Sequence, residues 1–481
     1  MLLFISVASS CSLGMLDEKN FVINTAFLFV ILFVGRLSIP TTIVCCLFTV
    51  FAAIYAPTGL VYGKPDQSII VSILETNKRE SFEYLCSLSV WHLLLSVVLL
   101  VLTYCFFVTR YKAASVKVSA IVLIVFVALN LNSWPKRVLV KSANAVSDLK
   151  KELAHYKELT ANKDDQWEIL DNHAKKDVVI VIIGESLRKD YMSTFGYGLK
   201  TTPWLDEQNG YFFNHYISTA ASTAKSLPST LSLASQTDGK PKIQNNVVSL
   251  ANKAGYNTYW LSNQGFVSKF DTIVSAISSY AKSTFFTKKG DYSAENQDDD
   301  VLLPKLKQVL AQDEAKKVIF VHVMGSHPNP CDRLFKYENI FKETFSDKKT
   351  ACYVSTVSKT DDFIKNVVNL VPKGKNYSVI YFSDHGLSVD GDSSPHHCKD
   401  FKECYSVPLI VIDSDVKKRI VKEEQISAYN FLSIFSEVIG VKAKGINTFD
   451  FNAPQSTEAR VFNGSNLVKY NDLGTQEVIY K

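Results

Sequence analysis

Apolar residues dominate the first third of the chain and form runs with almost no charged positions. A membrane-spanning helix needs about 20 apolar residues in a row. Four segments come close to that length, namely 21–35, 39–57, 88–108 and 118–133. A fifth run, 2–16, is shorter and fits either a span or the apolar region of a signal peptide. No basic segment precedes this run and further spans follow it, so the pattern predicts about five spans.

Basic residues in the loops indicate the orientation of these spans, because loops rich in Lys and Arg stay in the cytoplasm. The loop between the last two spans carries Arg110, Lys112 and Lys117, so we place it on the cytoplasmic side. With five spans, loop 58–86 and everything after Trp134 then face outward. Apolar residues recur at helical spacing in loop 58–86, which also fits an interfacial amphipathic helix without chemistry.

Strand-like apolar runs alternate with helical patterns in the rest of the chain. The strand candidates are 178–183, 257–262, 317–323, 377–382 and 407–412. Helical patterns cover 300–312 and 354–370. This alternation is typical of a mainly parallel sheet covered by helices on both faces. The tail from about residue 440 is predicted as loop with one edge strand.

The patterns divide the chain into three regions. Residues 1–134 are predicted as a transmembrane domain and 135–176 as polar linker helices on the membrane surface. Residues 177–481 are predicted as an outward-facing α/β catalytic domain. The net charge of +5 is modest and no basic stripe is present, so we expect no nucleic-acid partner. We expect the chain to be a monomer.

Four cysteines follow the predicted spans, at positions 331, 352, 398 and 404. An even number in an exported domain predicts two disulfides, for which three connectivities exist. Cys331–Cys352 and Cys398–Cys404 are the local pairing. A cysteine-ligated metal is the alternative, although the spacing matches no zinc-knuckle pattern.

Polar side chains follow three of the predicted strands at the point where each strand ends. Glu185 follows the first strand, His327 follows the third, and Asp384-His385 follows the fourth. Each alone would be an ordinary cap or turn residue. Because parallel strands end at the same edge of a sheet, together they favour a metal site. Carboxylate oxygens with imidazole nitrogen suit zinc, and manganese less well.

A candidate nucleophile lies in residues 218–231, which are small and hydroxylic and read STAASTAKSLPSTL. A hydroxyl at the start of a helix has backbone N–H groups nearby, which suits a phosphate. Bound to a divalent cation, Thr or Ser can ionise and attack phosphorus. A Ser/Thr-rich loop with an ordinary N-cap is the alternative.

These residues carry a resemblance to a known family. The motifs IIGESLRKDYMSTFGYGLKTTPWLD, STAASTAKSLPST, YWLSNQGF, GSHPNP, FSDHG and YSVPLIV follow one another between residues 177 and 412. In type and order they resemble the phosphoethanolamine transferases of Gram-negative bacteria, within the alkaline phosphatase and sulfatase superfamily. About five N-terminal spans, with the polar segment ILETNKRESFEYL, also resemble the family's membrane part. The resemblance implies a sulfatase-like fold for the α/β domain.

The resemblance also implies roles for individual residues. Glu185, Asp384 and His385 match the zinc ligands. Thr223 matches the nucleophile, itself bound to the zinc, with Ser222 and Ser226 as alternatives. The residues that match substrate-binding positions are His327, either His396 or His397, and, in the membrane loop, Thr76 and Glu80. A second zinc accompanies these histidines in some relatives. Where several relatives have a cysteine pair around the nucleophile, this chain has Thr219 and Ser229.

The implied reaction transfers phosphoethanolamine in two steps, through a phospho-threonine at Thr223. The donor is phosphatidylethanolamine and the acceptor is lipopolysaccharide, on lipid A or the core. The enzyme would be a multi-pass protein of the bacterial inner membrane, with its catalytic domain in the periplasm. The alternatives are another periplasmic glycan as acceptor, phosphoglycerol transfer of the lipoteichoic acid synthase kind, and a non-enzymatic relative that binds lipid. A sulfatase is excluded because Pro228 is followed by Ser-Thr, without the arginine that a sulfatase motif has two positions after its proline.

Overall fold

The computed structural model describes residues 1–13, 21–36, 38–62, 88–109 and 163–480, without 267–272, 290–296 and 392–393, and isolated residues between 84 and 161. The described chain forms two compact units, a helical N-terminal one and an α/β one that begins near residue 151. The predicted borders at 134 and 176 stay predictions.

The helices of the N-terminal unit are Leu2–Ser12, Phe21–Gly35, Ile39–Tyr62 and Val90–Val108. Among the described residues, two stretches are long and apolar enough to cross a membrane, Ile39–Val61 and Val90–Val108. The hydroxyl of Thr103 donates a hydrogen bond of 2.9 Å to that of Thr49, which links these two helices. The predicted span 118–133 lies almost wholly outside the described residues, so the number of spans stays a prediction.

The described residues of the α/β unit form fourteen strands, numbered here in chain order. They are β1 (Ile169–Asn172), β2 (Val178–Gly184), β3 (Gly210–Ile217), β4 (Ser232–Leu233), β5 (Lys242–Asn246), β6 (Asn257–Phe266), β7 (Ser283–Lys289), β8 (Lys317–His322), β9 (Tyr377–Ser383), β10 (Leu409–Asp413), β11 (Arg419–Ser427), β12 (Val441–Ala443), β13 (Arg460–Phe462) and β14 (Leu467–Lys469). Eight of them form one sheet in the order β11-β3-β10-β9-β2-β8-β6-β7. Strand β10 is antiparallel to both of its neighbours and every other pair is parallel, which confirms a mainly parallel sheet.

Helices cover both faces of this sheet. The α-helices described in the α/β unit are Pro203–Asp206, Thr223–Leu231, Val247–Lys253, Ile273–Ser278, Leu302–Leu310, Pro330–Leu334, Lys348–Leu370 and Phe431–Ile439. Strand β2 is buried along its whole length because successive side chains enter opposite cores. Val179 and Val181 pack with the helix at 431–439, whereas Ile180 and Ile182 pack with the helix at 348–370.

The structure differs from the sequence-based expectation at several strands. Strand β10, predicted at 407–412, spans Leu409–Asp413 and runs antiparallel to both of its neighbours, β3 and β9. Strands β3, β7 and β11 were not predicted. Residues 169–172, which fell in the predicted linker, form β1 and pair with β12 in a separate two-stranded sheet. The tail contains three short strands rather than one.

Both predicted disulfides are confirmed. Cys331 is bonded to Cys352 and Cys398 to Cys404, with Cα–Cα distances of 4.9 and 5.6 Å. The first joins the short helix at 330–334 to the long helix at 348–370. The second closes the segment that follows His397. The disulfides therefore fix two loops near the edge of the sheet where the predicted site lies.

Candidate active site

The site begins where strand β2 ends. Glu185 follows Gly184 and is buried, with 1% of its surface exposed. The next residue, Ser186, has a φ of 59°, in the region that favours glycine, and its hydroxyl donates a 2.7 Å hydrogen bond to Oε1 of Glu185. The phenol of Tyr353 donates to the carbonyl of Ser186 and accepts from the backbone N–H of Arg188, both at 3.0 Å. This turn is held in place by side chains from distant parts of the chain.

The neighbouring strand β9 delivers Asp384 and His385 to the same position. Gly184 is paired with Ser383, so the residues that follow both strands meet at one edge. Oδ1 of Asp384 accepts hydrogen bonds from the backbone N–H groups of Ser186 and His385, at 3.0 and 2.7 Å. Ligand atoms of Glu185, Asp384 and His385 all lie within 4.8 Å of one another. The structure thus brings together the three residues predicted as metal ligands.

The chemistry of this cluster fits a divalent cation. Nδ1 of His385 lies 2.9 Å from the carbonyl of Gly386, which can only accept, so Nδ1 carries a proton. In the neutral ring, Nε2 then presents its lone pair 3.2 Å from Oε1 of Glu185. Oδ2 of Asp384 is buried and accepts no hydrogen bond from the described residues. A cation held by these atoms would satisfy all of them.

The electrostatics of the cluster agree with this interpretation. Burial and the charge of Glu185 raise the pKa of Asp384 to about 7. Burial lowers the pKa of His385, but attraction to Asp384 and Glu185 outweighs it and raises that pKa to about 9. A proton on His385 therefore offsets the two carboxylates, and a bound cation would take over that role.

Thr223 is the first residue of the helix Thr223–Leu231. Its hydroxyl donates a 2.9 Å hydrogen bond to Oε2 of Glu185 and lies 3.4 Å from Nε2 of His385. Ser222 is the N-cap residue of this helix, and its side chain makes no capping hydrogen bond. Ser226 is buried, and its hydroxyl donates to the backbone carbonyl of Asp384 at 2.6 Å. Of the three candidate nucleophiles, Thr223 is the one whose hydroxyl contacts the carboxylate and imidazole cluster.

The loop before this helix is closed without a disulfide. The hydroxyl of Thr219 donates to the carbonyl of Ser226 at 3.1 Å. Ser229 is buried, and its hydroxyl lies 3.5 Å from the carbonyl of Gly239. The hydrogen bond from Thr219 thus ties the start of this loop to the helix Thr223–Leu231.

The structure separates the two candidate histidines that follow Asp384. The ring of His397 lies 4.9 Å from that of His385 and 6.3 Å from that of His327, measured between centroids. Burial, and then the charges of His385 and His327, hold the pKa of His397 well below its usual value, so its ring is neutral. His396 instead approaches the carbonyl of Ser394 with Nδ1, at 2.9 Å. Thr76 and Glu80 lie outside the described residues.

Asp299 is a residue near the site that the sequence analysis missed. Its Oδ1 accepts from the backbone N–H of Met324 at 2.7 Å and from the amide of Asn263 at 2.8 Å. Its Oδ2 accepts from the backbone N–H of Gly325 at 2.9 Å. The only signal in the sequence is an Asp-rich run before a predicted helix, which is more typical of an N-cap.

The loop that Asp299 holds is packed against Glu185 and leads to His327. The backbone N–H of Ser326 donates to the carbonyl of Glu185 at 3.0 Å. Gly325 has a φ of 51°, and a Cβ there would lie 3.1 Å from the backbone nitrogen of Glu185. Arg333, also missed, lies with Nη2 3.4 Å from Nδ1 of His327. Strand β8 and the loop after it therefore support Glu185, a candidate metal ligand, and His327, a candidate substrate-binding residue.

Comparison with known proteins identifies the family. The model of the sulfatase family matches residues 177–441. Phosphoethanolamine transferase OpgE of Escherichia coli K12 is 34% identical over 463 residues, which cover 88% of this chain and 85% of the relative. The chain belongs to the phosphoethanolamine transferases of the sulfatase family. A putative phosphoethanolamine transferase of Haemophilus influenzae is 33% identical over 401 residues, covering 78% of this chain and 79% of that one.

Solved structures of phosphoethanolamine transferases share the fold. The integral membrane protein lipooligosaccharide phosphoethanolamine transferase A of Neisseria meningitidis aligns with a TM-score of 0.62 at 16% identity, over 93% of this chain and 96% of that one. The C-terminal periplasmic domain of EptC from Escherichia coli, in complex with Zn, aligns with a TM-score of 0.56 at 19% identity, over 64% of this chain and 96% of that domain. At these identities the similarity shows a shared fold only. The alignment with the Neisseria meningitidis protein covers residues of both the N-terminal helices and the α/β domain.

Proposed function

We propose that this phosphoethanolamine transferase takes phosphoethanolamine from phosphatidylethanolamine and passes it to lipopolysaccharide, on lipid A or the core, through a phospho-threonine at Thr223. The observation that carries the proposal is the 2.9 Å hydrogen bond from Thr223 to Glu185 within a buried cluster of metal-ligand type. A hydroxyl that contacts this cluster at the start of a helix is placed where a phosphate would also find backbone N–H donors.

Glu185, Asp384, His385 and Thr223 would hold one zinc ion, with manganese as the less suitable ion. The match of this donor set to zinc chemistry supports the choice, as does the Zn complex of the related EptC domain. Such an ion lowers the pKa of a bound hydroxyl and neutralises charge on a phosphoryl group. A second zinc near His327 and His397 is a possible addition within the same proposal.

The residues of the chain would then act in two displacements. Glu185 accepts the hydrogen bond of Thr223 and orients its oxygen toward phosphorus. Thr223 releases its proton to solvent, and the bond from its oxygen to phosphorus forms as the bond to the diacylglycerol oxygen breaks. Protonated His327 gives that oxygen a proton, because the low pKa of His397 leaves its ring neutral. In the second step an acceptor hydroxyl loses its proton to a neutral histidine, His327 or His397, and its oxygen takes the phosphoethanolamine, while the released oxygen of Thr223 regains a proton from solvent.

The remaining expectations complete the proposal. Five spans would anchor a monomeric enzyme in the bacterial inner membrane, with residues 177–481 in the periplasm. Thr76 and Glu80, in the outward loop, would contact the donor head group. A membrane-embedded part is expected for an enzyme with a lipid donor, because the catalytic domain must reach molecules at the bilayer surface.

Mass spectrometry of lipopolysaccharide, cleaved into lipid A and core, tests the reaction and its acceptor together. Cells that express the chain should show a phosphoethanolamine mass increment in one fraction, and cells that express Thr223→Ala should not. An increment in periplasmic glycans instead would show that the acceptor is a glycan and not lipopolysaccharide. Transfer of a labelled glycerol phosphate from phosphatidylglycerol would show that phosphatidylglycerol is the donor, and this result would overturn the proposal.

A further inference from the structure

The last residues of the chain lie across the segments that carry the site. We call residues 474–480 the C-terminal strap. Its first residue, Gly474, pairs with Asp400 and Lys402 through backbone hydrogen bonds of 3.1 and 2.8 Å. At its other end, the phenol of Tyr197 donates to the carbonyl of Ile479 at 2.7 Å. The ring of Tyr480 is stacked on that of Tyr197, with centroids 5.3 Å apart.

Gln476, in the middle of the strap, uses every polar group of its side chain. Its Oε1 accepts from Nη1 of Arg188 at 2.7 Å and from the backbone N–H of Val389 at 3.1 Å. Its Nε2 donates to the hydroxyl of Ser388 at 2.7 Å. Its backbone N–H donates to Oε2 of Glu403 at 2.8 Å. One residue therefore joins three segments that are far apart in sequence.

Each of these segments carries part of the proposed site. Arg188 follows the turn that contains Glu185. Ser388 and Val389 follow His385, and Ser388 exchanges two backbone hydrogen bonds with His396, at 2.8 and 3.1 Å. Glu403 precedes Cys404, whose disulfide holds Cys398 beside His397. Gln476 therefore hydrogen-bonds to the segment after Glu185, to the segment after His385, and to the residue before the disulfide next to His397.

We propose that Gln476 is a positioning residue, which aligns the segments after Glu185 and His385 and thereby sets the geometry of the metal cluster and of His397. This inference rests on the proposed function of that cluster. Gln476 touches none of the reacting groups and acts through Arg188, Ser388 and Val389. Groups that hydrogen-bond to metal ligands orient them, and their loss commonly costs 10–100-fold in affinity or activity. Gln476 acts on the same ligands through one further contact.

Two observations assign this role to the side chain of Gln476 and not to the strap as a whole. Arg188 is fully buried, and Asp190 accepts from its Nε and Nη2 at 3.0 and 2.6 Å. Its Nη1 depends on Gln476, because the other contact of Nη1, with the carbonyl of Leu387, is longer at 3.4 Å. Loss of the amide would therefore leave a buried cation less well paired, and the segments would shift to satisfy it. The strap keeps its backbone and aromatic contacts at both ends, so the change should stay local.

Gln476→Ala removes the three side-chain contacts, and Glu477→Ala is the matched control because Glu477 is exposed on the same strap. Gln476→Glu is the conservative variant, since its carboxylate still accepts from Arg188 and Val389 and the Ser388 hydroxyl can turn to donate. The full-length enzyme in detergent would be measured by hydrogen exchange, by titration with zinc against a chelator, and by kcat and KM.

For Gln476→Ala we expect faster exchange in residues 385–391 and 397–404, zinc affinity or kcat lower by about 10–100-fold, and KM nearly unchanged. Gln476→Glu should recover most of the loss, and Glu477→Ala should resemble the unaltered enzyme. Unchanged exchange and zinc affinity in Gln476→Ala would overturn the inference, and so would a uniform rise in exchange over the whole domain. If Gln476→Ala does not accumulate, Ser388→Ala removes one contact and should give a smaller loss of the same kind.

The exchange and zinc measurements do not depend on the reaction. If the unaltered enzyme fails to transfer phosphoethanolamine, the proposed function is overturned while the role of Gln476 is still decided by these two measurements.

Discussion

The hydroxyl of Thr223 lies 2.9 Å from Oε2 of Glu185, although 38 residues separate the two in sequence. We expect Thr223→Ala to abolish phosphoethanolamine transfer while the fold and most of the zinc affinity remain, because the hydroxyl is one ligand among several. Ser222→Ala is the matched control and should retain activity. The assay is transfer from a labelled phosphatidylethanolamine, with zinc content measured in parallel. Full activity in Thr223→Ala would move the nucleophile to Ser222.

Removal of metal should stop the reaction and lower the stability of the α/β domain. In the proposed site, two buried carboxylates and one imidazole would bind a divalent cation in the folded state only, so an ion at 100 times its Kd would add about 2.7 kcal/mol to the free energy of unfolding. A chelator should therefore lower both activity and Tm, and added zinc should restore both. Asp384→Asn should show little Tm response to zinc. An equal response in this variant would place the ion elsewhere.

His396 and His397 can be told apart by substitution. The ring of His397 lies among those of His385 and His327, so His397→Ala should lower kcat by 10²–10⁴-fold if it moves protons. His396→Ala should have a much smaller effect, because the ring of His396 interacts with its own loop. Equal losses in the two variants would indicate that the loop, and not one imidazole, is what the reaction needs.

Asp299→Asn should weaken activity and stability together. The new amide would face the N–H of Met324 or Gly325 with a donor in place of an acceptor, which costs about 1–3 kcal/mol for a buried group. The loop that leads to His327 should then move away from Glu185. Asp300→Asn makes the same chemical change one residue along, at an exposed position, and should be neutral. Chemical unfolding and kcat/KM measure the two effects, and similar values for both variants would contradict the role of Asp299.

Replacement of Cys398 and Cys404 by serine should loosen the segment next to His397 and lower activity. The disulfide lies beside this histidine, and a segment freed from it would hold the ring less firmly. Replacement of Cys331 and Cys352 makes an equivalent change in another loop, next to Arg333. Thiol counting on the denatured protein should find the four cysteines of the α/β domain oxidised. Four free thiols would remove the basis of this prediction.

Much of the fold follows from the sequence. Strands β2, β8 and β9 lie at the centre of the sheet, so their residues are apolar on both faces and form unbroken runs. Strands β3 and β11 have mixed burial, and the run that gives β3, GYFFNHYI, includes polar residues. A pattern of apolar positions therefore finds the central strands and misses strands toward both edges, β11 and β3 at one and β7 at the other. The antiparallel direction of β10 depends on its neighbours and has no signature in its own residues.

The sequence by itself also predicted the candidate ligand cluster and offered the local disulfide pairing that the structure confirms. Residues that follow adjacent parallel strands must meet at one edge, and the two cysteine pairs are close in sequence. The tertiary structure decided what depends on contacts between distant segments: the contact of Thr223, and not of Ser226, with Glu185, the separation of His397 from His396, and the hydrogen bonds of Asp299 and Gln476. Each of these rests on a hydrogen bond or ring contact whose partners meet only when the sheet is assembled.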